Sequence, residues 1–67
     1  MRCFYVFYQT KNNLLIRKLP ISTADGRIFS EYDFISSVAK GQGLQVSDVA
    51  ITHWIEMNEK DWRDFAR

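Results

Sequence analysis

The segment Arg2–Thr10 (RCFYVFYQT) constrains the fold of this chain more than any other part of the sequence. It is dense in aromatic and β-branched residues, which pack well on a pleated surface, so it predicts a β-strand. Its apolar side chains divide between the two faces of that strand as Phe4, Val6 and Tyr8 against Cys3, Tyr5 and Phe7. A strand with two apolar faces needs cover on both sides. We therefore expect it at the centre of a sheet.

A second strand is predicted to pair with the first through a short turn. Asparagine tolerates positive φ at low cost, so Lys11-Asn12-Asn13 suits a hairpin turn into the apolar stretch Leu14–Leu19. Pro20 lacks a backbone donor, and it either ends this strand or confines it to a sheet edge. Residues 20–28 contain the turn-forming Ala24-Asp25-Gly26 and are predicted to form a mobile loop.

A helix is predicted over residues 31–40. Ser30 is a suitable N-terminal cap, acidic residues occupy the first turn, and Phe29 can pack against Phe34 as a hydrophobic staple. Apolar residues then recur at helical spacing. Gly41 is expected to take the left-handed conformation that ends the helix.

Two further elements complete the predicted domain. Val49–Met57 alternates between apolar and mixed positions, which predicts a third strand with one buried face. Asn58 then caps a short C-terminal helix, with Trp62 at its staple position. A right-handed crossover through the first helix places the third strand beside the first. The prediction is one α+β domain over residues 1–67, a ββαβα chain with sheet order 2-1-3 and one helix packed on a face.

The composition predicts an ordinary globular domain in a reducing compartment. Apolar residues make up 46% and charged residues 25% of the chain, as in folded domains. Cys3 is the only cysteine and cannot form an internal disulfide, and no leader precedes the first strand, so we expect a cytoplasmic location. The apolar runs are far shorter than the roughly 20 residues that span a bilayer, and no membrane association is expected.

Charge is divided unevenly along the chain. Residues 1–24 carry four basic residues and no acidic one, whereas residues 25–67 carry five basic and eight acidic residues. The two parts therefore have charges of +4 and −3, which add to the net charge of +1. A basic hairpin beside an acidic helical side could steer a charged partner. Basic strand edges also discourage aggregation, which is an alternative explanation.

Nothing in the sequence predicts an enzyme, a cofactor or a metal site. Cys3 and His53 are the one pair that could supply a thiol and a base, but no third group is placed to orient them. Four of the acidic residues are expected in helix first turns, where the helix dipole accounts for them. Gly41-Gln42-Gly43 follows a helix instead of opening one, so its amides are poorly placed for a phosphate.

The sheet face away from the first helix is the predicted partner surface. Trp54 is expected there beside one aromatic row of the first strand, either Tyr5 and Phe7 or Phe4 and Tyr8. Tyrosine, tryptophan and arginine anchors favour a protein partner, with a second copy of the chain as one candidate. Single-stranded nucleic acid stacked on the aromatic face is an alternative. A second alternative is that the C-terminal helix folds back and covers this face. The predicted partner-binding residues are Tyr5, Phe7, Arg17, Lys18 and Trp54.

Two patterns suggest a family resemblance. The first is F-Y-x-F-Y-x-T from Phe4 to Thr10, and the second is I-x-H-W-I-E from Ile51 to Glu56. With these strands the chain resembles short uncharacterised accessory proteins of enteric bacteriophages and prophages. The resemblance implies a small non-enzymatic protein that binds a host protein in the host cytoplasm and could inhibit a defence system. It assigns no functional residue.

Overall fold

The computed structural model describes residues 1–65, which form a three-stranded sheet and two α-helices. The elements are β1 (Arg2–Thr10), β2 (Asn13–Thr23), α1 (Glu31–Gln42), β3 (Val49–Met57) and α2 (Glu59–Phe65), with a 3₁₀ turn at Val46–Asp48. Both outer strands pair antiparallel with β1, and the sheet order is β2-β1-β3. The predicted ββαβα architecture, the central place of Arg2–Thr10 and the sheet order are therefore confirmed.

β1 is the most deeply buried element of the domain. Cys3, Phe4, Tyr5 and Val6 are each exposed by 1% or less. Because consecutive residues point to opposite faces, this burial means that both faces of the sheet are covered at this end of β1. The two apolar faces in the sequence thus correspond to two packed layers.

β2 is longer than the sequence predicted. It continues through Pro20, which pairs with Tyr5, to Thr23, which pairs with Arg2. An edge strand tolerates proline because its outer backbone groups face no neighbouring strand. The prediction of a loop beginning at residue 20 was therefore wrong, and the connection to α1 covers residues 24–30.

α1 begins as predicted but ends two residues later. The Ser30 hydroxyl accepts a hydrogen bond from the Asp33 amide at 3.2 Å, which confirms the cap. Gly43 takes the left-handed conformation with φ of 68°, whereas Gly41 lies inside the helix, so the predicted stop at Gly41 was wrong. The later stop lets the Leu44 amide donate to the Ala39 carbonyl at 2.8 Å. Leu44 then packs against the core, which explains why the chain turns at the second glycine.

The main core lies between α1 and one face of the sheet, here called the helix-side face. Aromatic rings make much of it: Phe4 and Phe29 meet edge to face at 5.3 Å, and Tyr8 and Phe34 do so at 5.5 Å. Its buried members are Phe4, Val6, Tyr8, Phe29, Phe34, Val38, Ala39 and Val49. Edge-to-face pairs each add about 0.5–1.5 kcal/mol beyond their buried area, so the aromatic residues stabilise this small core strongly.

An extra residue in β3 changes which of its side chains are buried. Tyr8 pairs with Ile51 and Phe7 pairs with His53, so Thr52 has no partner residue on β1. Such a bulge reverses the alternation of faces beyond it. The Thr52 hydroxyl donates to the Phe7 carbonyl at 3.1 Å and holds the bulge in place.

Trp54 consequently lies on the helix-side face, where its ring packs edge to face against Phe4 at 5.7 Å and Phe29 at 5.3 Å. The expectation that Trp54 lies on the opposite face was wrong. That expectation assumed an unbroken alternation along β3, and the bulge at Thr52 breaks it.

Candidate partner-binding surfaces

The second sheet face, opposite α1, is partly covered by α2. The Trp62 indole Nε1 donates to the Phe4 carbonyl at 3.0 Å, and the ring of Phe65 meets Tyr5 edge to face at 4.7 Å. The Lys18 ammonium lies 3.9 Å from the Phe65 ring centroid. Tyr5 is only 1% exposed. The C-terminal helix therefore folds back on its own sheet, which was one of the alternatives predicted from the sequence.

Further along this face, Phe7 is engaged with a neighbour on β3. Its ring stacks on His53 with centroids 4.4 Å apart and planes 8° from parallel. Phe7 is half-buried and His53 is exposed. His53 is therefore the member of this pair that offers more surface to a partner.

The five predicted partner-binding residues do not form one surface. Tyr5, Phe7 and Lys18 share the second face, since Lys18 pairs with Phe7 in the β1–β2 register. Arg17 pairs with Tyr8 and so lies on the helix-side face, as does Trp54. The aromatic platform predicted from the sequence is therefore divided between two faces, and its Tyr5 end lies under α2.

Three consecutive exposed apolar side chains lie next to the hairpin turn, and the sequence analysis did not single them out. Leu14, Leu15 and Ile16, together called the hairpin patch, are exposed by 81%, 74% and 57%. Three apolar residues in a row cannot all face one side of a strand, and that run was the available signal.

The register explains this exposure. Tyr8 pairs with Arg17 and Thr10 pairs with Asn13, so the three residues of the hairpin patch lie opposite Gln9 alone. Because β2 has three residues here where β1 has one, this part of β2 leaves the regular hydrogen-bonded pairing with β1. The Gln9 side-chain amide donates to the Leu14 carbonyl, and the Leu15 amide donates to the Asn13 side chain at 3.0 Å. These bonds fix the bulged strand in the exposed position.

The charge around the hairpin patch is basic and uncompensated. Lys11 precedes it, and Arg17 and Lys18 follow it. Within residues 1–65 none of these three cations forms an ion pair; the acidic partners found there belong to Arg2, Arg27 and Arg63. A partner that contacts this end of the hairpin would meet apolar side chains flanked by positive charge.

An open groove runs along the other part of β2, between that strand and α1. α1 lies closer to β3 than to β2, which leaves the helix-side residues of β2 partly uncovered. The groove has a volume of about 280 Å³. Its apolar lining consists of Leu19, Ile21, Phe29, Phe34 and Val38, with Thr23, Ser30, Asp33 and Ser37 at its polar rim.

A two-point ion pair joins the first and third strands. Arg2 Nε and Nη2 donate to the two carboxylate oxygens of Glu56 at 2.9 and 2.7 Å. These hydrogen bonds, and the charge of the guanidinium, hold the pKa of Glu56 below its usual range, and the carboxylate raises the pKa of Arg2. The pair lies across the β1–β3 ladder and is a structural contact.

The structure separates the one predicted pair of reactive side chains. Cys3 pairs with Met57 and His53 pairs with Phe7, four residues further along β1. Four strand residues span roughly 13 Å, beyond hydrogen-bond reach. Cys3 is also only 1% exposed.

In residues 1–65 no group of three or more His, Cys, Asp or Glu side chains is arranged to hold a metal ion. No helix in that range is long and apolar enough to cross a bilayer.

Comparison with protein-family models, with curated proteins and with solved structures finds no match to this chain.

Proposed function

We propose that this chain is a small non-enzymatic protein-binding module that contacts its partner through the hairpin patch. The observation that carries this proposal is the exposure of Leu14, Leu15 and Ile16 on a strand with an open outer edge. Burying a leucine or isoleucine side chain is worth roughly 1.5–3 kcal/mol, and a domain of this size has a net stability of only about 3–5 kcal/mol. In this small fold three such side chains stay exposed to water. Contact with a partner would bury them and contribute their burial free energy to binding.

The charges near the patch indicate the kind of protein surface that fits it. Arg17 and Lys18 have no acidic partner within residues 1–65. A partner surface with an apolar centre and acidic rim complements them, since charged rims accelerate association and select the partner. The resemblance to phage accessory proteins predicts that this partner is a host protein and that the complex could block a defence system. Both remain predictions.

Nucleic-acid binding on an aromatic platform receives less support. Stacking of bases needs exposed rings in one row. Tyr5 is covered by α2, Phe7 is stacked on His53, and Trp54 lies on the other face of the sheet. A protein partner needs only the exposed apolar residues, and those are present.

Co-purification from lysate of the host cell tests the proposal. The tagged native chain is expected to recover a defined protein that persists after nuclease treatment and in moderate salt. A variant with Leu14, Leu15 and Ile16 all changed to serine is expected to lose that protein. Its fold should be retained because these side chains are already exposed in the native chain.

Ile28→Ser is the matched control, because Ile28 is also exposed, by 53%, but lies in the connection before α1. This variant should recover the partner like the native chain. Equal recovery by the triple-serine variant would refute the hairpin patch as the contact surface. If light scattering showed instead that the native chain pairs with itself and the triple-serine variant does not, the partner would be a second copy.

A further inference from the structure

α2 is attached to the domain by few side chains. None of its seven residues is buried. Its own turn is stabilised locally, because Asn58 accepts from the Asp61 amide at 2.8 Å and Arg63 pairs with Glu59 at 3.2 Å. Within residues 59–65, Trp62 and Phe65 are the members with a hydrogen bond or an aromatic contact to the sheet. A short element held by few side chains can open without unfolding the rest of a domain.

The contacts of α2 define the chemistry that this part of the sheet accepts. The Phe4 carbonyl accepts a hydrogen bond from an indole N–H, Tyr5 offers its ring to a second aromatic side chain, and the Lys18 ammonium lies over that same ring. Together these groups hold two aromatic residues three positions apart on a helix, as Trp62 and Phe65 are.

One feature of this face opposes tight attachment. The Tyr5 hydroxyl is buried and has no hydrogen-bond partner within the described residues. A buried hydroxyl without a partner costs about 1–3 kcal/mol. Because the Tyr5 ring contacts Phe65 of α2, we expect release of α2 to expose this hydroxyl to water.

We propose that the Tyr5 face, formed by the Phe4 carbonyl, the Tyr5 ring and the Lys18 ammonium, is a second binding site, and that α2 is its resident, displaceable occupant. The partner that fits is a helical segment of another protein with aromatic side chains at positions i and i+3. Such a segment reproduces the contacts of Trp62 and Phe65 while α2 swings away. This site shares Lys18 with the charged surroundings of the hairpin patch but none of its three apolar residues, so the experiments below test it separately from the proposed function.

Hydrogen exchange measured by NMR on the full chain tests whether α2 opens on its own. The Trp62 indole proton is expected to exchange at least roughly tenfold faster than the paired amides of β1, since its opening is local. Tyr5→Phe should slow the Trp62 exchange about five- to tenfold, because docking then buries no unpaired hydroxyl. Trp62 exchange as slow as that of the β1 amides would overturn the proposal, because α2 would then open only when the whole domain unfolds.

A peptide with the sequence of residues 58–67 tests recognition in trans. Added to the Phe65→Ala chain, whose own α2 has lost an anchor, it should shift the NMR signals of Tyr5 and Lys18, with half-saturation at roughly millimolar concentration. The native chain should require several-fold more peptide, because its α2 competes. A peptide with alanine in place of both aromatic residues is the control and should shift nothing. Absence of shifts with the native-sequence peptide would overturn the site.

Discussion

Thr52 determines which side chains of β3 reach each face of the sheet. As the unpaired residue of the bulge, it directs Trp54 into the helix-side core and leaves His53 and Ile55 on the second face. Trp54 therefore acts as a core residue, packed between Phe4 and Phe29, and is not available as an anchor for a partner. One of the three aromatic side chains that the sequence analysis assigned to binding is thus part of the core.

The Arg2–Glu56 pair gives the domain a defined pH dependence. Because the folded-state pKa of Glu56 is lowered, its ionised form stabilises the fold above the pKa of the unfolded chain. This contribution is lost as the pH falls through the lowered folded-state value. Native protein should therefore unfold at a higher denaturant concentration than Glu56→Gln at neutral pH, with the difference shrinking from about pH 5 to about pH 3.

Urea unfolding of both proteins at a series of pH values measures this difference. Asp64→Asn is a useful comparison, because Asp64 is exposed, lies outside a helix first turn and has no ion pair within residues 1–65. A difference between native protein and Glu56→Gln that stays constant across this pH range would show that the ion pair does not form in solution.

At the scale of elements, the two glycines near the end of α1 have opposite roles. Gly43 adopts a φ of 68°, a backbone conformation that residues with a side chain rarely adopt. Gly41 lies in ordinary helical backbone, and a Cβ added there would have no heavy atom within 4 Å. Gly43→Ala should therefore destabilise the domain by about 1 kcal/mol. Gly41→Ala should stabilise it by roughly 0.5–1 kcal/mol, since alanine has the higher helix propensity.

Thermal or urea unfolding of the two variants measures this contrast, and each serves as the control for the other. Equal effects of the same sign would contradict the assignment of the helix end to Gly43. The same contrast shows why the sequence placed the helix end too early. Both glycines are compatible with a left-handed stop, and only the packing of Leu44 on the core selects the second.

Elements were predictable where local chemistry alone determines them. The Ser30 cap, the limits of β3 and the central place of β1 follow from side chains within a few residues. The bulge at Thr52 and the extra length of β2 opposite Gln9 depend on pairing between distant strands. The run of three apolar residues at 14–16 signals some exposure, but it does not give the register. The expected face of Trp54 was wrong for that reason, and the hairpin patch, which the sequence analysis did not single out, also results from a register shift.

At the scale of the whole molecule, the potential binding surfaces lie at different places on one small sheet. The hairpin patch is open and flanked by cations, whereas the Tyr5 face is covered by α2. They share no apolar residue, although Lys18 lies close to both. The basic first 24 residues contribute Arg17 and Lys18 to this arrangement, one on each face.

Amide hydrogen exchange of the chain in the complex recovered from lysate tests the central claim most directly. We predict that residues 13–18 gain protection on complex formation, because the partner covers the hairpin patch, while residues 52–57 of β3 remain unchanged and serve as the internal reference. Protection gained on β3 or α1, with none at residues 13–18, would contradict the proposed contact surface.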